Sequence, residues 1–447
     1  MKEYDVVVIG GSASGIATAI TGKSAYPKKT FLMIRKEKQA IVPCGIPYIF
    51  GSLHATEKDT ISDEMFKKNN IDLKIDEVTQ IDSKEKICTT KDGSTIKYDK
   101  LVLATGSEAC IPSWLEGADK KNVFVIPKDK EYLDSALKQL STAKKIITIG
   151  GGFIGVETSD ELRKEGKEVI IIEKLPHILG TAFDDEICEE VEQSLKERNV
   201  EFMTGMGVSK ILGDQEVSGV ELENGKKILA DAVLLTVGYK PNTKLATETG
   251  LSLNEKGFIK VDEYMHTDDH DIMAVGDCAE KRDFVTRKIS TTMLASTACA
   301  EARIAGMNLF KLSAMKTFSG TIAIFSTALG NTGFGVAGVT EKTATQEQFD
   351  VVTGSFTGVD KHPGTLPEVH KQTVKLIAAR EGGLVLGGEV IGGSSTGELT
   401  NLIGFIIQNK MTVNNILTAQ IGTHPLVTAP PTAYPLIKAA EAVARKL

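Results

Sequence analysis

The chain has 447 residues, with 52 basic and 59 acidic side chains and a formal charge of −7. That length allows two to four domains, and an apolar fraction of 41% is enough to give them packed cores. No basic block marks a nucleic-acid surface, no polybasic segment marks an anionic membrane, and no apolar run is long enough to span a bilayer.

The start leads directly into an apolar strand, VVVI at 6–9, so no signal peptide is expected. A Gly-rich turn follows, Gly10-Gly11-Ser12-Ala13-Ser14-Gly15, and then a helix. Ser12 stands where a dinucleotide fingerprint has its middle glycine. The next strand, 30–35, ends on Arg35 where such folds place a ribose-binding acid. Arg35 is read as covering an adenine, meeting a phosphate or ending a solvated strand, and Glu37 as the substitute carboxylate.

Residues 39–51, QAIVPCGIPYIFG, hold Cys44 at the start of a short helix, with Pro47 in its first turn. Free N–H groups and the helix dipole favour a thiolate there, and a thiolate is the nucleophile of disulfide exchange. The bland alternative is a small buried hydrophobe. Segments 71–81 and 86–98 read as strands with a hairpin at Lys91-Asp92-Gly93. Segment 100–106 reads as a separate buried strand ending in the Thr105-Gly106 turn, and 112–119 as a linker holding Trp114.

A second unit begins near Lys144. Strand 146–149 leads into Gly150-x-Gly152-Phe153-Ile154-Gly155, then a helix, then strand 168–173 ending on Glu173. Glycines in that register allow a tight turn and the approach of a pyrophosphate to the helix N-terminus. Glu173 is placed to accept hydrogen bonds from a ribose and to repel a 2′-phosphate, which favours NADH over NADPH. Residues 184–198 read as an amphipathic helix, 199–231 as antiparallel strands, and 232–238 as a buried strand ending at Gly238.

Late in the chain, MAVGD closes a strand at Gly276-Asp277, whose carboxylate is placed to meet a polyol hydroxyl near the first turn. From Gly320 the pattern changes to strands with Gly turns and then helices. The repeat, about 140 residues apart, implies two doubly wound Rossmann-like units followed by an α+β domain. The other five cysteines show no framework spacing, which fits a reducing cytoplasm. His266 and His270 lie among aspartates in what reads as a solvated turn, and no metal site is expected.

Together the segments VVVIGGSASG, LVLATG, IITIGGGFIGVE, LLTVGYKPN and IMAVGDCAE resemble the flavin- and pyridine-nucleotide-dependent disulfide oxidoreductases over the whole chain. VPCGIPYIFG is similar to the single-cysteine branch, which holds coenzyme A disulfide reductases, NADH oxidases, NADH peroxidases and persulfide reductases. The resemblance implies an α/β fold with an FAD-binding domain (1–112 and 266–318), an NAD(P)H-binding domain (113–265) and a dimerisation domain (319–447). It implies that Gly10, Gly11, Ser12, Ser14, Gly15, Arg35, Glu37, Thr105, Gly106 and Asp277 serve FAD. Gly150, Gly152, Phe153, Ile154, Gly155, Glu173 and Gly238 would serve NADH, with NADPH as second choice, and Glu157 would lie near the flavin–nicotinamide junction.

The implied activity is reduction of a low-molecular-weight disulfide or persulfide through Cys44 in a homodimer, coenzyme A being the leading carrier, with Lys23 a candidate for a carrier phosphate. One alternative is an NADH oxidase or peroxidase that uses O2 or peroxide through a Cys44 sulfenate. Another is a flavoprotein that binds or passes electrons to a partner protein. The sequence departs from the family pattern at Pro43, at Arg35 and at Thr428, which stands where close relatives carry a tyrosine before Ala-Pro-Pro. His424, in Gly422-Thr423-His424-Pro425, is the nearest residue in sequence able to replace that tyrosine as an acid; otherwise it braces the Pro-rich segment.

Overall fold

Val6, Val7 and Val8 are fully buried in succession, the mark of a parallel strand covered on both faces. They belong to Lys2–Ile9, the centre of the first sheet, with parallel neighbours Phe31–Arg35 and Thr95–Leu103. Asp72–Ile75 extends the sheet beyond Phe31–Arg35. The computed structural model describes residues 1–313 and 317–447.

Thr95–Leu103 is one continuous strand, not the two read from the sequence. Its first part pairs with antiparallel Ile87–Thr90, and its last residues pair with parallel Ile272–Ala274. The change of neighbour midway produces the apparent break at Asp99-Lys100. Through Ile272–Ala274 the late MAVGD segment reaches the carboxyl end of the same sheet.

The second sheet runs Glu201–Met203, Glu168–Ile172, Lys145–Ile149, Ala232–Leu235, Val123–Val125, and all its pairings are parallel. Residues 199–231 therefore divide. Glu201–Met203 joins the parallel sheet, and only Val208–Leu212, Gly219–Leu222 and Lys227–Leu229 form an antiparallel sheet. The cause is the helix Asp185–Glu197, whose buried Ile187, Cys188, Val191 and Leu195 make it a crossover; a strand after such a crossover re-enters parallel. An antiparallel pair, Ser107–Ala109 with Tyr239–Pro241, ties the two units together.

The third sheet is antiparallel, in the order Phe325–Leu329, Thr332–Gly338, Val385–Gly392, Lys371–Ala379, Val351–Val359. The Pro435–Ala444 helix buries Leu436, Ala439, Ala440 and Val443 at helical spacing against it. A fully buried leucine such as Leu436 contributes about 1.5–3 kcal/mol. An α+β arrangement for this part of the chain is what the change of pattern after Gly320 predicts.

Charges join this sheet to the second unit. The Lys375 side chain, 8% exposed, reaches Asp184 at 2.8 Å, Glu341 at 3.0 Å and Glu389 at 3.7 Å, and also pairs with Glu186. Asp184 accepts the Glu341 and Lys342 amides at 2.9 Å each, while its own amide donates to Glu389 Oε1 at 2.8 Å. Asp184, Glu186 and Glu341 lie close enough to hold a metal ion, but the Lys375 ammonium pairs with all three. Among the described residues no helix is long and apolar enough to cross a membrane.

Candidate active site

Both Gly-rich turns are built to bring backbone to backbone. Gly10 has φ +113°, and a Cβ there would lie 2.1 Å from the Ala104 carbonyl oxygen. Gly150 repeats this with φ +111° and Thr236 O at 2.6 Å. Gly15 and Gly155 sit against the carbonyls of Gly10 and Gly150, where a Cβ would come within 1.8 and 2.1 Å. Open space surrounds the Cβ position of Gly152.

The helices these turns open, Ala13–Ala25 and Phe153–Lys164, have no side-chain cap and no acidic residue in the first turn. Uncapped N–H groups free of carboxylates suit an anion. The two turns thus fit the pyrophosphates of FAD and of a nicotinamide dinucleotide.

Several sequence-derived candidates support these turns by packing. Ser14 is buried against Gly276, where a Cβ would meet its Oγ at 2.5 Å. Phe153 stacks on Phe325 at 5.2 Å and meets Phe183 edge-on at 6.0 Å, while Ile154 packs into the core beneath Ile46 and Ile49. Thr105 Oγ1 donates to Asn242 O at 2.6 Å, Gly106 takes φ +68°, and Gly238 takes φ +105°.

Arg35 is not a solvated strand end. It is 2% exposed and forks onto Asp63 at 2.6 and 2.7 Å, donating also to the Glu37 and Lys38 carbonyls at 2.9 Å. Its aliphatic stem faces Gly11, where a Cβ would lie 2.5 Å from Cδ. The guanidinium is thereby committed to protein groups, while the half-buried Glu37 carboxylate lies 4.0 Å from Lys36. Lys23 also turns inward, donating to Lys29 O at 2.7 Å. Glu173, one residue past the end of strand Glu168–Ile172, accepts the Gly151 amide at 2.6 Å and the Leu175 amide at 2.8 Å and so clamps the second turn.

Cys44 is exposed in a 3-10 helix, Pro43–Phe50. The sequence leads to a thiolate favoured by the helix terminus; the structure reverses that direction. Crowding by protein pushes the thiol up first, Glu157 adds to this, and Lys128 opposes it. Glu157 is itself pushed up to about 7, chiefly by burial and against a 2.7 Å hydrogen bond from Thr327 Oγ1. Tyr48 is raised to about 12 by burial and by Glu157.

Asp277 accepts from Ser107 Oγ at 2.7 Å and pairs with Lys128 at 2.8 Å. Burial would raise its carboxyl, but Lys128 and these hydrogen bonds hold it below the ordinary carboxylate value. Lys128 and Ser107 escaped the sequence reading, because IPKDKEY and GSEAC carry no motif and both meet Asp277 only through long-range side-chain hydrogen bonds. Cys88, Cys188 and Cys278 are buried free thiols.

His424 is exposed. Its amide donates to Thr428 Oγ1 at 2.8 Å, and its Nδ1 accepts the Leu426 amide at 3.3 Å. Thr428 also meets a second imidazole, its carbonyl lying 3.1 Å from His362 Nδ1. Within the chain, these contacts leave His424 with local partners and do not link it to Cys44.

Two dinucleotide turns and one exposed cysteine, with carboxylates of both units around it, define a two-nucleotide redox enzyme. Residues 4–302 match the profile of the pyridine nucleotide-disulphide oxidoreductases and 324–434 match that family's dimerisation domain. The chain belongs to this family of flavin-dependent enzymes, which use FAD and NAD(P)H.

An NADH oxidase of Methanocaldococcus jannaschii is 30% identical over 99% of both chains. An NAD(P)H coenzyme A polysulfide/persulfide reductase of Pyrococcus horikoshii is 30% identical over 87% of each. The structure of a NAD-dependent persulfide reductase from A. fulgidus matches with a TM-score of 0.91 at 28% identity, over 99% of this chain and 83% of that one.

Proposed function

We propose that the chain is a homodimeric NADH-dependent reductase of low-molecular-weight disulfides or persulfides, with coenzyme A the leading carrier and Cys44 the residue that receives the sulfur. The observation that carries this reading is an exposed Cys44 beside Glu157 and Asp277, while Cys88, Cys188 and Cys278 are buried. A single thiol works by forming a mixed disulfide with the substrate. The balanced reaction for a disulfide is RSSR + NADH + H⁺ → 2 RSH + NAD⁺. For a persulfide, RSSH + NADH + H⁺ gives RSH, hydrogen sulfide and NAD⁺.

In this reading the Gly10–Gly15 turn, Glu37, the Thr105-Gly106 turn and Asp277 hold FAD, and Arg35 shapes Gly11 from behind. The Gly150–Gly155 turn, Glu173 and Gly238 hold NADH. The chemistry FAD supplies when bound is a two-electron relay between nicotinamide and sulfur. Cys44 accepts the substrate sulfur, and Glu157 holds or releases a proton near neutrality beside it. Six free cysteines support a reducing, cytoplasmic setting.

The likeness to an NADH oxidase favours a second reading, with O2 or peroxide as acceptor. Steady-state assays with coenzyme A disulfide, coenzyme A persulfide, sulfur, peroxide and O2 separate the two. The sulfur compounds are expected to give the highest kcat/KM, and a preference for O2 or peroxide selects the oxidase reading instead. In the same assays NADH is expected to exceed NADPH by ~10-fold or more, since a 2′-phosphate beside Glu173 costs at least about 1.4 kcal/mol. Equal values would show that Lys174 offsets the carboxylate.

In the dimer we assign His424 as the acid that protonates the departing thiolate of the partner's site. In the neutral ring Nδ1 accepts the Leu426 amide; the acid form is the imidazolium, which gives up that hydrogen bond and donates its proton from Nε2. His424→Gln is expected to leave flavin reduction by NADH unchanged in stopped flow, to slow disulfide turnover ~10²-fold and to remove one limb of its pH profile. Unchanged turnover in a flavin-loaded dimer would end this role.

A further inference from the structure

Two charged side chains that the reaction above does not use are buried at the turn that carries Asp277. Lys281 is 3% exposed, and Glu301, on the helix Ala295–Asn308, is fully enclosed. They lie 3.6 Å apart. Between them they take both polar groups of one backbone residue. Glu301 Oε2 accepts the Gly276 amide at 2.7 Å, and Lys281 Nζ donates to the Gly276 carbonyl at 2.9 Å. Lys281 also donates to the Ala279 carbonyl at 2.8 Å, and its ammonium lies 5.7 Å from the centre of the Phe258 ring. Glu301 Oε1 faces Lys281 without a hydrogen bond.

Packing does not require these charges. An apolar pair of like volume is often as stable as a buried ion pair, or more so, because desolvation offsets the attraction. Here burial pushes the Glu301 carboxyl up to about 7, with Lys281 opposing it. What the charges supply is direction. Hydrogen bonds to charged groups are roughly twice as strong as neutral ones, and these two grip the N–H and the C=O of the same residue. Gly276 takes φ +80°, and a Cβ there would lie 2.5 Å from Ser14 Oγ, so the turn cannot anchor itself with a side chain at this position. The next residue is Asp277, whose carboxylate is oriented by Ser107 and Lys128.

We propose that Lys281 and Glu301 are positioning residues for FAD, locking the Gly276-Asp277 backbone so that the Asp277 carboxylate is preset to receive a polyol hydroxyl of the cofactor. This rests on the reading that Asp277 holds FAD. Ser107 and Lys128 aim the carboxylate, and the buried pair fixes the backbone that carries it. A turn free to move would have to be ordered each time FAD binds, and that cost would appear as weaker affinity.

The test is a double-mutant cycle on FAD affinity. The holoenzyme is diluted in steps at pH 8, where Glu301 is ionised, and free FAD is measured in the ultrafiltrate by its fluorescence. Glu301→Gln keeps an oxygen for the Gly276 amide and loses the charge; it is expected to raise the dissociation constant of FAD ~10-fold. Asp277→Asn is expected to raise it as well. Combining the two should weaken binding by no more than about 3-fold beyond Asp277→Asn alone, because the pair acts through Asp277. A general loss of stability would multiply with the Asp277 effect instead. If Glu301→Gln does not fold, Lys281→Met combined with Glu301→Gln leaves neither charge buried and carries the same cycle. Wild-type FAD affinity in the folded variant, or a weakening that multiplies with that of Asp277→Asn, overturns the proposal. Wild-type affinity in Asp277→Asn itself overturns the reading of Asp277 and the proposal with it, so that single variant tells the two failures apart.

Discussion

Cys44→Ser is expected to lower kcat/KM for every sulfur acceptor by at least ~10³-fold while FAD stays bound and NADH still reduces it. A serine hydroxyl is nearly isosteric but cannot form a sulfur–sulfur bond, so the substrate sulfur has no attachment point. The pyrophosphate turns at Gly10 and Gly150 do not involve the thiol, and the Pro43–Phe50 helix is anchored by buried Ile46, Ile49 and Phe50. Structure and flavin content should therefore match the wild type. The measurement is a pair: stopped-flow bleaching of the flavin absorbance by NADH, and steady-state turnover with a disulfide. Normal reduction with lost turnover assigns Cys44 to the sulfur half of the reaction. Wild-type turnover in the variant would make Cys44 structural and remove the basis for the proposed substrate class. A residual slow consumption of O2 by the reduced variant is compatible with either outcome for sulfur and does not bear on the assignment.

Much of the fold was legible because it repeats a local signal. Strand, Gly-rich turn and helix recur from Val6 to Gly15 and from Ile146 to Gly155, and the backbone contacts of Gly10 and Gly150 show why only glycine suits those positions. Pairing was less legible. Glu201–Met203 looks like the antiparallel strands after it until the packing of the Asp185–Glu197 helix is known. Thr95–Leu103 looks broken because its neighbours change along its length.

At the site, Cys44 stood out through its own motif, but its electrostatic surroundings did not. Glu157 and Asp277 belong to motifs of their own, whereas Lys128 lies in plain surface-like sequence and acquires meaning only from tertiary contacts. The dipole argument for a thiolate counted the helix terminus and left out the crowding that pushes the thiol up first and the carboxylates that add to it. Arg35 shows the reverse error. Treated as a charge near a ligand, it proved to be a buried fork spent on Asp63.

Lys375→Met is expected to destabilise the protein by about 3–5 kcal/mol, the usual cost of removing one partner from a buried ion cluster. Methionine has similar length and would fill the space, so the loss is electrostatic: Asp184 and Glu389 remain buried with no ammonium between them. The pH dependence supplies the check. Burial first, and then the charge of Asp184, push the Glu389 carboxyl up to about 8. A carboxyl raised by folding contributes stability that is fully present below its unfolded pKa and is lost as pH rises toward 8. Asp184 runs the other way. Burial opposes it, but Lys375 and the Lys342 amide hold it below its ordinary value, so its contribution is present at neutral pH and lost in acid. Removing Lys375 removes that second contribution and deepens the first. The deficit of the variant, read from urea midpoints, should therefore grow as pH rises through about 8, where Glu389 gives up its proton, and shrink in acid, where Asp184 takes one up. A deficit under 1 kcal/mol at pH 8, or one that does not change with pH, would mean that water already screens the cluster and that the second and third sheets are held together by their apolar contacts alone.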